Sequence, residues 1–198
     1  MSEIRDEAPD GTRDLYARAL KQFGEKVHAV GEDQWANTTP CSEWDVRALV
    51  NHLVNENKWT PPLLAGSRIE DVGDRFDGDL LGADPHAAWE ESAAEAKGAV
   101  TEEAALKTVH LSFGEAPGRE YVMQLFADHL IHAWDLARAV HGDERLDPEL
   151  VQACAEWFRW PRRSPFRPLP RRPRRTAIRS ASRTRCRAMA GARKWSAP

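Results

Sequence analysis

Residues 125 to 139, LFADHLIHAWDLARA, constrain this chain more than any other stretch. They read as one helix with an ionisable row along one side. Asp128 and His132 are four apart, so on a helix they stand one turn above the other on the same face. Leu125 and Leu136 share that side, with Phe126 slightly off it. A carboxylate and an imidazole one turn apart in an apolar bed can present two metal ligands from one helix. The same spacing also arises as a plain His–Asp hydrogen bond on a partly buried helix. Spacing alone leaves both readings open.

The rest of the chain supplies further helices. Leu15, Ala19, Phe23, Val27 and Val30 recur at helical spacing and predict a first helix over 12–30. Its His28 reads as a rim residue. Residues 31–43 are rich in turn formers, and Ser42 is a good helix cap, with Asp45 three residues on. A second helix is predicted over 43–59, its inward stripe being Val46, Leu49, Val50, Leu53 and Asn57. His52 lies at the border of that stripe, with Glu56 one turn on as a possible partner. Pro61-Pro62 predicts an end or a kink near Thr60. Residues 66–84 form a Gly- and Asp-rich loop that has the composition of a calcium loop but not its ligand pattern; it is read as a cover for the site. Asp84-Pro85 opens a third helix over 86–100. In 106–114 Val109, Leu111 and Phe113 alternate with His110 and Ser112, which predicts a short extended segment with His110 off the apolar side. The opening stretch belongs to a fourth helix over 119–140 that His141-Gly142 ends, and Asp147-Pro148 starts a fifth. Helices with short connections predict an all-α, up-and-down four-helix bundle.

Charge divides the chain. All 31 acidic residues precede position 161, whereas 13 of the 28 basic ones follow it. Residues 1–160 are therefore read as one domain, and 161–198 as a basic Arg/Pro-rich tail without the apolar content to fold. Two origins of the tail stay open: a nucleic-acid-binding arm, or the product of a frameshift, since Arg, Pro, Ala and Ser codons dominate the alternative frames of GC-rich DNA. No apolar run is long enough to span a membrane, and the acidic start is not a signal peptide. Cys41, Cys154 and Cys186 are far apart and form neither a CxxC pair nor a disulfide framework, which points to the cytoplasm. Cys41, just before a helix start, reads either as a reactive thiol or as a buried structural residue.

Three separated pieces resemble one known family: TPCSEWDVRALVNHLV at 39–54, Glu56 and Trp59 with the following PLL and Gly66, and HAWDLARA at 132–139. Together they resemble the DinB-like superfamily, in its mycothiol-dependent maleylpyruvate isomerase branch, over about residues 10 to 160. The resemblance implies a four-helix bundle holding a divalent metal at one end through a histidine of the second helix and an acid-x-x-x-His pair of the last. Carried over, the ligands are His52, Asp128 and His132. The family's isomerase has Glu where this chain has Asp128, and His129 is a rival ligand. Two imidazoles and a carboxylate leave coordination positions open and suit zinc or ferrous iron. The resemblance further implies mycothiol, a sugar-linked thiol, as cofactor; a zinc-bound thiol is deprotonated at neutral pH. Arg138 is a candidate for binding the thiol or an acidic substrate, with a surface salt bridge as its alternative. The function implied is an isomerase or thiol transferase acting on a small electrophilic substrate. A non-catalytic metal-binding or small-molecule sensor protein and nucleic-acid binding through the tail are the alternatives.

Overall fold

The computed structural model describes residues 11–159. The basic tail from 161 to 198, with its predicted disorder, and Cys186 lie outside the described residues. The described chain is mostly helical. Its four long helices are α1 (Thr12–His28), α2 (Val46–Leu64), α4 (Pro85–Ala99) and α6 (Gly118–Ala139). Two short helices, α3 (Ile69–Val72) and α5 (Glu102–Leu106), lie between them, and α7 (Pro148–Arg159) follows. β1 (Thr108–Leu111) and β2 (Gly114–Pro117) form an antiparallel hairpin in which Val109 pairs with Ala116 and His110 with Glu115. No described helix is long and apolar enough to cross a membrane.

The helices close around one core because each carries an apolar stripe. α1 packs on α4 and α6, and α2 packs on the same two helices. Phe23, Leu49, Leu53, Trp89, Leu125, Phe126 and Leu136 fill the space between them and are fully buried. Each such side chain contributes about 1.5–3 kcal/mol by leaving water. α1 and α4 approach closely at Gly24, where a Cβ would sit 2.8 Å from Trp89 Nε1. Arg18 of α1 pairs with Asp147 and Glu149, which holds the start of α7.

Several sequence expectations are corrected. The cap of α2 is Asp45, whose side chain accepts the Ala48 N–H at 2.8 Å, and not Ser42. Residues 38 and 45 bridge as extended backbone, so the helix starts only after the turn closes. α2 also runs through Pro61 and Pro62 to Leu64. Interior proline costs about 3 kcal/mol, but Leu63 and Leu64 are buried beyond it. The 66–84 loop contains α3, and α5 was too short to show a period.

That loop lies along α2. Arg47 bonds Asp79 and Gly82 O, Asn51 bonds Gly78 O and the Leu80 N–H, and Asn55 donates to Phe76 O. The three α2 residues are four apart, so they form one row along the helix and hold the loop as a strap.

Candidate metal centre

α6 is fixed at both ends. Gly118 starts it, where a Cβ would lie 2.4 Å from Ala104 O. At its other end His141 takes a left-handed conformation (φ 55°), His141 N–H donates to Arg138 O, and Gly142 N–H donates to Ala137 O. That pair of bonds is the helix-ending arrangement usually built on glycine. Between these stops, Asp128, His132 and Asp135 lie on the side of α6 that meets α2, and His52 comes across from α2.

His52 Nε2–H donates to Asp128 Oδ2 at 3.0 Å. His132 Nε2 lies 3.4 Å from Asp128 Oδ1. His132 Nδ1–H donates to Asp135 Oδ2 at 3.0 Å, which turns Nε2 toward Asp128. One donor atom from each of His52, Asp128 and His132 lies within 4.8 Å of the others. Asp128 Oδ1 is buried and has no well-formed hydrogen bond, with His132 Nε2 at 3.4 Å beside it. A buried carboxylate oxygen so weakly bonded is costly, and a cation held between the two imidazoles would satisfy it. The ring of Trp44 packs at 4.7 Å from that of His52 and at 5.8 Å from that of His132.

The charges of the cluster hold each other. Burial alone drives the His132 pKa down, but the Asp128 carboxylate, hydrogen bonds to Asp128 and Asp135, and the charge of Asp135 raise it to about 10. Burial likewise raises the Asp128 pKa, but the charges of His132 and His52 and their hydrogen bonds outweigh it and hold the carboxyl well below the ordinary range. The cluster is thus a buried site for charge with one anionic and two imidazole donors.

A second set, Cys41, His132 and Asp135, is equally close together. Cys41 is buried and disulfide-bonded, so its sulfur offers no thiolate. The alternative of a reactive thiol at Cys41 is thereby set aside. Cys41 Sγ lies 3.6 Å from Asp135 Oδ2 and helps enclose it.

The rival ligand His129 is elsewhere. Its Nδ1–H donates to Leu125 O at 2.8 Å, and Nε2 faces the Asn57 carboxamide at 3.0 Å. Tyr16, Phe23 and Trp89 surround the ring. Burial lowers its pKa to about 4, so the ring is neutral. Arg138 is exposed; it pairs with Glu144 at 3.2 Å and lies over the Trp134 ring at 5.0 Å, the salt-bridge alternative. The sequence offers Asp135, beside His132, either as a hydrogen-bond partner behind the ligands or as a hold on the second helix, and its bond to His132 Nδ1 is the first of these. Sequence reasoning missed the packing of Trp44 on both imidazoles, although Trp44 lies inside the quoted 39–54 segment.

Residues 16–137 match the family described as mycothiol maleylpyruvate isomerase N-terminal domain, a DinB-like domain. The chain is 34% identical over 140 residues to an uncharacterized protein of Mycobacterium tuberculosis, matched in two strains. The alignment covers 69% of this chain and 71% of that protein. No solved structure matches the chain.

Proposed function

The chain belongs to the mycothiol maleylpyruvate isomerase N-terminal domain family, and from that premise we propose that residues 1–160 form a four-helix-bundle enzyme that binds a divalent cation, zinc by preference. In this reading it uses mycothiol in the cytoplasm to isomerise or modify a small electrophilic substrate. One observation carries the reading: His52, Asp128 and His132 converge from two helices around a buried carboxylate oxygen that has no well-formed hydrogen bond.

The donor set fits the ion. His52 Nε2, a carboxylate oxygen of Asp128 and His132 Nε2 would hold it, and three protein ligands leave room for an exogenous one. A bound zinc supplies Lewis acidity that keeps a thiol ligand deprotonated at neutral pH. The remaining chemistry belongs to the chain. Asp135 accepts the Nδ1 proton of His132 and so fixes the ring with Nε2 toward the site. Asp128 brings the one negative charge of the donor set, so an anionic thiolate is favoured as the added ligand. Trp44 covers the two imidazoles and limits the access of water. Arg138 would meet an anionic group only by leaving Glu144.

Elemental analysis of untagged protein tests the reading. Wild type is expected to retain a stoichiometric divalent ion, and His52→Ala, Asp128→Ala and His132→Ala are expected to lose it. Mycothiol-dependent turnover of electrophiles should vanish in the same three variants. Folded wild type that takes up no ion from solutions of zinc, manganese or iron(II) would overturn the proposal.

A further inference from the structure

A second group of metal-ligating side chains lies on the Nδ1 side of the His132 ring. Cys41, His132 and Asp135 each bring one donor atom within 4.8 Å of the other two, and all three residues are buried. Asp135 Oδ2 takes the His132 Nδ1 proton at 3.0 Å and lies 3.6 Å from Cys41 Sγ. Asp135 Oδ1 is enclosed and has no hydrogen-bond partner, in a residue that is 1% exposed. As a disulfide sulfur, Cys41 Sγ carries no hydrogen and donates nothing to that carboxylate. The group is thus an enclosed carboxylate with an oxygen to spare, beside an imidazole and a sulfur.

The backbone holds the sulfur there. Cys41 N–H donates to Thr39 Oγ1 at 3.1 Å, Thr39 Oγ1–H donates to Trp44 O at 2.8 Å, and Trp44 N–H donates to Cys41 O at 2.9 Å. These bonds close residues 39–44 into a turn that does not depend on the disulfide. Reduction takes two equivalents of a low-molecular-weight thiol. The first forms a mixed disulfide and the second resolves it; the small thiols leave as their own disulfide, and the two cysteine sulfurs each gain a hydrogen. On losing that proton to a cation, the Cys41 sulfur becomes a soft anionic ligand. With Asp135 it supplies two anions, which balance a divalent ion, whereas the first centre supplies one, Asp128.

We propose that reduction of the Cys41 disulfide creates an alternative cation site, made of Cys41 Sγ, His132 Nδ1 and Asp135 and selective for soft divalent ions. A cation entering it displaces the thiol proton and the Nδ1 proton to solvent. A neutral imidazole has one lone pair, so His132 serves one set at a time and the two sites exclude each other. The redox state of Cys41 thereby decides which side of His132 holds a metal. The inference does not rest on the cofactor or the reaction proposed above.

The probe is cadmium(II) alone, added to the full-length protein in its disulfide form and after reduction with a phosphine that is then removed. Thiolate-to-cadmium charge transfer in the ultraviolet reports the bond to sulfur. Reduced wild type is expected to show a saturable band that the disulfide form lacks, and reduced Cys41→Ser is expected to lose it. Asp135→Asn should weaken cadmium at least about tenfold, since losing even an outer partner of a ligand costs that much. His52→Ala and Asp128→Ala dismantle the first centre and should keep the band, with circular dichroism to show that each folds. Reduced wild type without the band, as a plain thiol–carboxylate hydrogen bond would give, overturns the proposal. An undiminished band in Cys41→Ser assigns it to the other cysteines and overturns it too. So does loss of the band in folded His52→Ala and Asp128→Ala, which would make Cys41 a ligand of the first centre.

Discussion

Replacing Asp135 with asparagine separates a residue that orients a ligand from one that is a ligand. Asp135 Oδ2 accepts the Nδ1 proton of His132 at 3.0 Å, and Asp135 is 1% exposed. Water therefore cannot take over the bond when the carboxylate is lost. Asparagine keeps the shape and retains an amide oxygen for Nδ1–H, but it removes the charge that makes the imidazole a better donor. Losing such an outer partner costs about 10–100-fold in metal affinity, or about 1.4–2.7 kcal/mol. The assay is zinc competition against a chromophoric chelator for wild type, Asp135→Asn and His132→Ala, with circular dichroism to show that each folds. Asp135→Asn should fall between the other two. Affinity equal to wild type would refute the orienting role. Affinity as low as in His132→Ala would make Asp135 a ligand rather than a residue that orients one.

Three further outcomes follow from the geometry. Gly118→Ala drives a Cβ to 2.4 Å from Ala104 O and 3.1 Å from Lys107 O, both backbone atoms, so thermal unfolding should show a loss of about 1–3 kcal/mol or more. Gly98→Ala, inside α4 with nothing within 4 Å of the new Cβ, should instead gain about 0.5–1 kcal/mol; a loss there would refute the open space at that position. Hydrogen bonds from Arg18 hold the Asp147 carboxyl below its ordinary pKa of 3.8. The folded state thus prefers the ionised form, and the contribution of Asp147 is present above the ordinary value and lost as pH falls through the lowered one. Asp147→Asn should lower the melting temperature at neutral pH and by less and less as pH falls below 3.8, and the effect should shrink in high salt because the pair is at the surface.

Legibility in the sequence followed the range of the forces. The stripe of Val46, Leu49, Val50, Leu53 and Asn57 was readable because a buried helix face repeats at 3.6 residues, and all five are buried. The end of α2 was not readable. The penalty at Pro61-Pro62 is local and visible, whereas the burial of Leu63 and Leu64 that outweighs it depends on neighbours distant in sequence. Trp59 was legible only as part of the resembling segment and Asn55 not at all, for the same reason: the strap that encloses them through Phe76 comes from residues distant in sequence. The Asp128 and His132 pair could be read from one helix. His52 could not be joined to it by spacing, since 76 residues separate His52 from Asp128; the resemblance supplied that link.

The divergence of His129 and His132 shows how helix geometry assigns chemistry to identical side chains. Asp128 and His129 are adjacent, and one step on a helix is about 100°. That step takes His129 from the α2 side into the space between α1 and α4, where Tyr16, Phe23 and Trp89 enclose it and no carboxylate bonds it. Burial there outweighs the hydrogen bond to Leu125 O and the charge of Asp128, and the ring stays neutral. Three further residues return the face to α2, and His132 is just as buried but meets Asp128 and Asp135. There the carboxylates outweigh burial and the ring holds its proton. A cation can replace that proton at His132, where Nε2 faces a carboxylate oxygen, but His129 has both ring nitrogens engaged in the core. Exchanging the two roles would require rotating α6 by about a sixth of a turn within a packed core, which its stops at Gly118 and at His141-Gly142 oppose.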